Sequence, residues 1–518
     1  MDQAELCLLD LPASVLSTIL GFLPAEDPSH FASALLACKA LRQAGEAVPH
    51  RATLRLAYMP KLRDMKLGYI QRLGWEAELL ALLTRKAQLW RAATVHGTSL
   101  AELRMLLGSL SSPAGSGLRR LDLLLGRDGL HTHTELCLRL PKELELLTSL
   151  TELRIEQCPV DLSLPAGDLG RLSTLPALQS LAFLGHLTGR LPPGALSSGL
   201  TSLYLRMLPQ PLEAAEDWAT REPFLGSERL AECTALRSLH INALAPVPAL
   251  SEEQVLTAWQ QLQKLELVHT YHAEHGSSGS PGFWRALPQL PCLTRLAADN
   301  VRGQGSQALS ASLPSRLASL QLEDYPESAL PPLPPTVTEL RLHLLGPLRT
   351  LPVSPSLRNM TLFSDSQLGQ PLPQWPSSAS SMVGMTALCL SGCPLGELPA
   401  PLASLPLIEI LNLACTQLTD LPQELACVGS LRKLDLHGNE LTRVPAVLGG
   451  GAASRLEHLD LGRNRSLVVG DEGLALLCTL SALQCLNIRG ASQGLRSAEV
   501  SDQRLRGALK AWRGAGMM

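Results

Sequence analysis

Residues 431–445 read Leu431-Arg432-Lys433-Leu434-Asp435-Leu436-His437-Gly438-Asn439-Glu440-Leu441-Thr442-Arg443-Val444-Pro445, and this stretch decides the fold. Leucine stands at the first, fourth and sixth places. The fourth and sixth are two residues apart, so in an extended strand they point the same way, into an interior, while the fifth faces solvent. Three places beyond the sixth the chain must turn, and its backbone groups need a partner inside the stack. Asn439 is the kind of small polar side chain that supplies one. A second apolar anchor and a proline follow, Val444-Pro445, suited to a side of the molecule where the backbone makes no sheet hydrogen bonds.

The same six-residue frame recurs along the chain. Clear copies are Leu456-Leu459-Leu461, Leu483-Leu486-Ile488 and Ile408-Leu411-Leu413. Going back towards the N-terminus, frames begin at Met385, Leu357, Val337, Leu317, Leu293, Leu262, Leu236, Leu200, Leu178 and Leu150, which makes fourteen. The frame at Leu293 is weak, with Ala298 in its sixth place, and Leu118-Leu121-Leu123 is a plausible fifteenth. Asn464, Thr416, Cys393 and Cys158 occupy the place of Asn439, while Leu421-Pro422 and Leu398-Pro399 repeat the anchor and proline. Most spacings fall between about 20 and 28 residues, the period of a solenoid built from strand-bearing coils. The longer gaps from Leu200 to Leu236 and from Leu262 to Leu293 predict surface insertions.

Composition agrees. The chain has 518 residues, 45% of them hydrophobic but only 3% aromatic, so its core is built from leucine and its aliphatic relatives. A single globular core does not grow to that length, but a repeat array does, because each coil packs only on its neighbours. The net charge of -3 is small and the two signs are intermixed, which argues against a nucleic-acid or anionic-membrane surface. Twelve cysteines are scattered with no CxxC pair, which predicts buried free thiols in a reducing compartment, the cytosol or nucleus. Residues 6–23 are apolar, yet Asp2, Glu5, Asp10 and Pro12 and the lack of a basic leading region argue against a signal peptide. No uninterrupted apolar run is long enough to predict a membrane span.

On these residues the chain resembles the leucine-rich-repeat family, over roughly 118–490, with 385–448 similar to the intracellular pattern LxxLxLxxNxLxxLPxxL. The resemblance implies an α/β fold: a leucine-rich-repeat solenoid with a curved parallel β-sheet and an irregular or helical convex side. It implies binding in place of catalysis, and says little about what is bound.

The two ends read differently. LPASVLSTILGFL from Leu11, an acidic turn and a helix ending in Cys38-Lys39-Ala40-Leu41-Arg42 resemble an F-box over residues 9–47. Ser14 and Ser17 depart from it by replacing charged residues common in its first helix, and Leu41 stands where a tryptophan is often found. This resemblance implies docking on the Skp-type adaptor of a cullin-RING ubiquitin ligase through Leu11, Pro12, Val15, Leu16, Ile19, Leu20 and Leu23, with a protein substrate held by the repeats. The plainer reading is a helical cap. Residues 51–117 hold Leu79, Leu82, Leu83 and Trp90, which suggest one or two linking helices, or else degenerate first repeats. Leu505, Leu509 and Trp512 behind Ser501 and Asp502 predict a C-terminal capping helix.

Candidate chemistry elsewhere is thin. His269, His272 and His275 form HxxHxxH in a polar insertion, but no cysteine or carboxylate completes them at a familiar ligand spacing, so no metal is expected. His131 and His133 offer less. Gly303, Gly305 and Ala308 with Glu323 match a dinucleotide fingerprint, but the next frame reopens at Leu317, too soon for the long helix such a site requires. Cys389, Cys393 and Cys415 lie in stacked coils and read as core thiols. With no GxSxG, HExxH or P-loop motif, no catalytic residue and no cofactor is expected. The outward strand places give the candidate partner-binding face: Arg154, Tyr204, Arg206, His240, Asn242, Glu266, Asp299, Gln321, Glu323, Arg341, His343, Asp435, His437, Asp460, Asn487 and Arg489. Mixed charge there favours a folded protein or peptide over nucleic acid. A substrate receptor of a ubiquitin ligase and a signalling scaffold, such as a regulator of a small GTPase or phosphatase, both fit.

Overall fold

A computed structural model describes residues 52–56, 90–97, 118–125, 140–157, 163–188, 194–207, 227–242, 251–268, 281–299, 311–325, 332–344, 353–364, 382–395, 405–423, 428–449 and 455–490, with a few single positions between them. The F-box-like residues 9–47, the histidine insertion, Gly303–Gly305 and the expected C-terminal helix lie outside the described residues.

The strands divide between two compact units. The first contains β1 (Ala52–Leu56), β2 (Trp90–Gly97), β3 (Arg120–Leu125), β4 (Glu152–Gln157), β5 (Ser163–Pro165), β6 (Ser180–Thr188), β7 (Ser202–Met207) and β8 (Ser238–Asn242). The second contains β9 (Lys264–Val268), β10 (Arg295–Asp299), β11 (Ser319–Tyr325), β12 (Glu339–Leu344), β13 (Asn359–Ser364), β14 (Ala387–Cys389), β15 (Ile410–Asn412), β16 (Lys433–Asp435), β17 (His458–Asp460) and β18 (Cys485–Asn487). Within each unit the pairing is parallel and sequential, except that β4 pairs with β6 and the short β5 lies against the far end of β6. All fourteen frames carry a strand, and the fifteenth at Leu118 carries β3. This is the leucine-rich-repeat solenoid fold.

Register explains the leucines. In the first unit Leu121, Leu153, Leu181, Leu203 and Leu239 stand opposite one another on successive strands, each buried. In the second, Leu265, Leu296, Leu320, Leu340, Met360, Leu388, Leu411, Leu434, Leu459 and Leu486 form the same column. A one-residue slip would turn a whole column outwards, so the pattern pins every strand. Entry to each strand is also repeated. The first-place amide donates to the carbonyl three residues back, as Leu150 does to Leu147 (2.9 Å) and Leu357 to Ser354 (3.1 Å). The next two amides share one carbonyl of the preceding coil, as Thr151 and Glu152 share that of Arg119 (2.7 and 2.8 Å).

The side away from the sheet is short-helical or irregular. It holds α1 (Ala166–Leu169), α2 (Ser227–Ala231), α3 (Glu252–Ala258), α4 (Pro281–Ala286) and α5 (Asp471–Thr479), with 3-10 turns between. The few aromatic residues fill wide places in the core. Trp259 is buried and donates its Nε1–H to the Leu230 carbonyl (3.4 Å), while Phe283 and Trp284 meet edge to face at 5.1 Å.

Trp90 departs from its helical reading. It opens β2, which pairs in parallel with both β1 and β3, and that cross-strand pairing overrides a local apolar spacing which also suits a helix.

Candidate outward sheet face

The ninth place of four successive coils of the second unit, three beyond the last core leucine, carries a buried ladder of Cys393, Thr416, Asn439 and Asn464. Asn439 Oδ1 accepts from the Thr416 amide, the Thr416 hydroxyl and the Leu418 amide, all at 3.0 Å, and its Nδ2 donates to the carbonyls of Leu413 (2.7 Å) and Leu436 (2.9 Å). Asn464 repeats the role one coil on, accepting from Leu441 N and donating to Leu436 O and Leu461 O. Cys393 fills the place with a thiol that reaches the Leu362 carbonyl at 3.7 Å. These side chains close the turns that aim the fifth and seventh places outwards. Cys415, read as a core thiol, is exposed: it sits at the eighth place, where the turn carries the backbone out of the interior.

The expected outward residues do lie at those places, with one exception. Asp299 is 7% exposed and so is covered, although it stands in register with Glu323. The others form distinct groups. On β3 and β4, Arg120 pairs with Asp122 (3.3 Å) and Glu152 (3.8 Å), and Arg154 pairs with Glu156 (2.8 Å), so the charges there neutralise one another. On β7 and β8, the rings of Tyr204 and His240 stack at 4.2 Å and 6°, with Arg206 and Asn242 two residues further along.

In the second unit Arg295 Nε reaches Glu266 at 2.9 Å, and Gln321 Nε2 donates to Glu323 at 2.8 Å. Arg341 lies over the Phe363 ring, 5.3 Å from its centre, a cation–π contact. His343 Nδ1 is 2.8 Å from Asp324 Oδ1. Asp324 lay off the sequence pattern: the β11–β12 register shifts between Leu322 and Tyr325, and this bulge holds Asp324 at φ 55, buried below His343. Nothing in the frame signals an extra residue in a strand.

Towards β18 the fifth places make a second, half-exposed ladder. Asn412, Asp435, Asp460 and Asn487 stand opposite one another. Each accepts from the amide two residues on: Ala414 (2.9 Å), His437 (2.9 Å), Gly462 (2.8 Å) and Arg489 (3.1 Å). Asn487 Nδ2 also donates to both oxygens of Asp460 (3.0 and 2.9 Å), and His437 Nδ1 lies 3.6 Å from Asp460. Burial pushes the Asp435 carboxyl above its ordinary range. The Asp460 charge adds to that shift, while the His437 amide and ring oppose it. Asn412 holds the fifth place of the Ile408 frame and is legible from it.

Among the described residues no group of three or more His, Cys, Asp or Glu is placed to hold a metal, and no helix is long and apolar enough to cross a membrane. No protein-family profile matches the chain. No curated protein matches it either. Solved structures do. A leucine-rich-repeat protein of Leptospira interrogans is 19% identical over 83% of this chain and 97% of its own, with a TM-score of 0.49. An internalin of Listeria monocytogenes is 14% identical over 80% and 94%, at 0.38. A TDR receptor is 17% identical over 79% and 65%, at 0.42.

Proposed function

We propose that this chain is a non-catalytic protein-recognition module that takes its partner on the outward face of its sheet. The carrying observation is that face itself: backbone hydrogen bonds fix its side chains at regular spacing while none of them is needed for the core. Rigid polar and aromatic groups held this way bind with little loss of side-chain freedom. The residues concerned are Arg154, Tyr204, Arg206, His240 and Asn242 in the first unit. In the second they are Glu266, Glu323, Arg341, His343, Asp435, His437, Asp460 and Arg489.

We further propose that the F-box-like residues 9–47 attach the module to a Skp-type adaptor, making it a substrate receptor of a cullin-RING ubiquitin ligase in the cytoplasm or nucleus. Such a receptor acts by proximity, raising the effective concentration of a substrate lysine near the charged conjugating enzyme. The order of an F-box-like segment before the repeats supports this reading. The test is capture of a purified Skp-type adaptor by the full chain. Binding is expected, and Leu11→Ala with Pro12→Ala is expected to abolish it. No binding by the parent chain overturns the ligase role and leaves the regular coils of 385–448 to a signalling scaffold, whose partners' cellular levels stay constant when this protein is added or removed.

A further inference from the structure

We draw no further inference here: the strongest candidate, the exposed apolar surface of Val383, Leu407 and Ile410 at the entry to the neighbouring strands β14 and β15, carries nothing because nothing in the structure shows what covers it.

Discussion

At the eighth place of five successive coils the backbone is left-handed: Gly392 (φ 75), Cys415 (φ 56), Gly438 (φ 68), Arg463 (φ 54) and Gly490 (φ 74). The turn demands this conformation whatever residue occupies it, and a side chain there costs roughly 1–2 kcal/mol against glycine. Gly438 carries a second constraint, since a Cβ on it would stand 2.8 Å from the Cys415 sulfur of the preceding coil. Gly438→Ala is therefore expected to lower stability by about 2 kcal/mol or more in urea unfolding. Made on a Cys415→Ala background, the same change is expected to cost less, because the sulfur is gone while the backbone strain remains. Equal costs on both backgrounds would place the whole effect in the backbone. The cysteines also divide by position. Cys415 and Cys485 are exposed, whereas burial, with the Glu232 charge adding to it, pushes the Cys233 thiol up to about 12. Free thiols were legible in the sequence, but the expectation that they are buried fails at Cys415 and Cys485, because burial depends on which place of the coil each one holds.

Along the strands of the second unit, Asn412, Asp435, Asp460 and Asn487 do the same backbone work with different charge. Asp435 is the costly member, since burial and the Asp460 charge both disfavour its ionised form. Its folded pKa lies above its unfolded one. Protonated Asp435 thus favours the folded state at acid pH, and that contribution is lost as pH rises through the folded pKa. Asp435→Asn is expected to raise stability at pH 7, with the gain shrinking towards zero as both forms become uncharged in acid. Melting temperatures of the two proteins at a series of pH values measure this, and a gain that persists at acid pH would contradict it. The elements themselves were largely legible. Period-two alternation within a frame and a fixed spacing between frames specify strand and register together, so even the weak frame at Leu293 carries β10, paired on both sides. What escaped the pattern depends on packing between coils. The bulge that brings Asp324 under His343 inserts a residue the frame does not contain, and Asp299 is covered although its place in the strand faces outwards. Trp90 became a strand through neighbours far away in sequence.

In the molecule as a whole, each coil draws its stability from its own core and from the coils directly beside it. Energetics of this kind are nearly one-dimensional, and damage is expected to stay local. Within the second unit, Leu459 is buried between Leu434 and Leu486. Leu459→Ala removes buried methyl groups and leaves a cavity, at a cost of about 2–5 kcal/mol. If coupling runs only between neighbours, amide hydrogen exchange rises across β16, β17 and β18, while β10, β11 and β12 keep their protection. A unit that unfolds in one step would instead show the same rise throughout. The outcome bears on function as well as folding. An outward face carried by coils that yield separately lets the Asp435–Asp460 region loosen without disturbing the Arg341–Phe363 contact, so a partner spanning both would be held at two independent points. A face that yields as one block would present them only together.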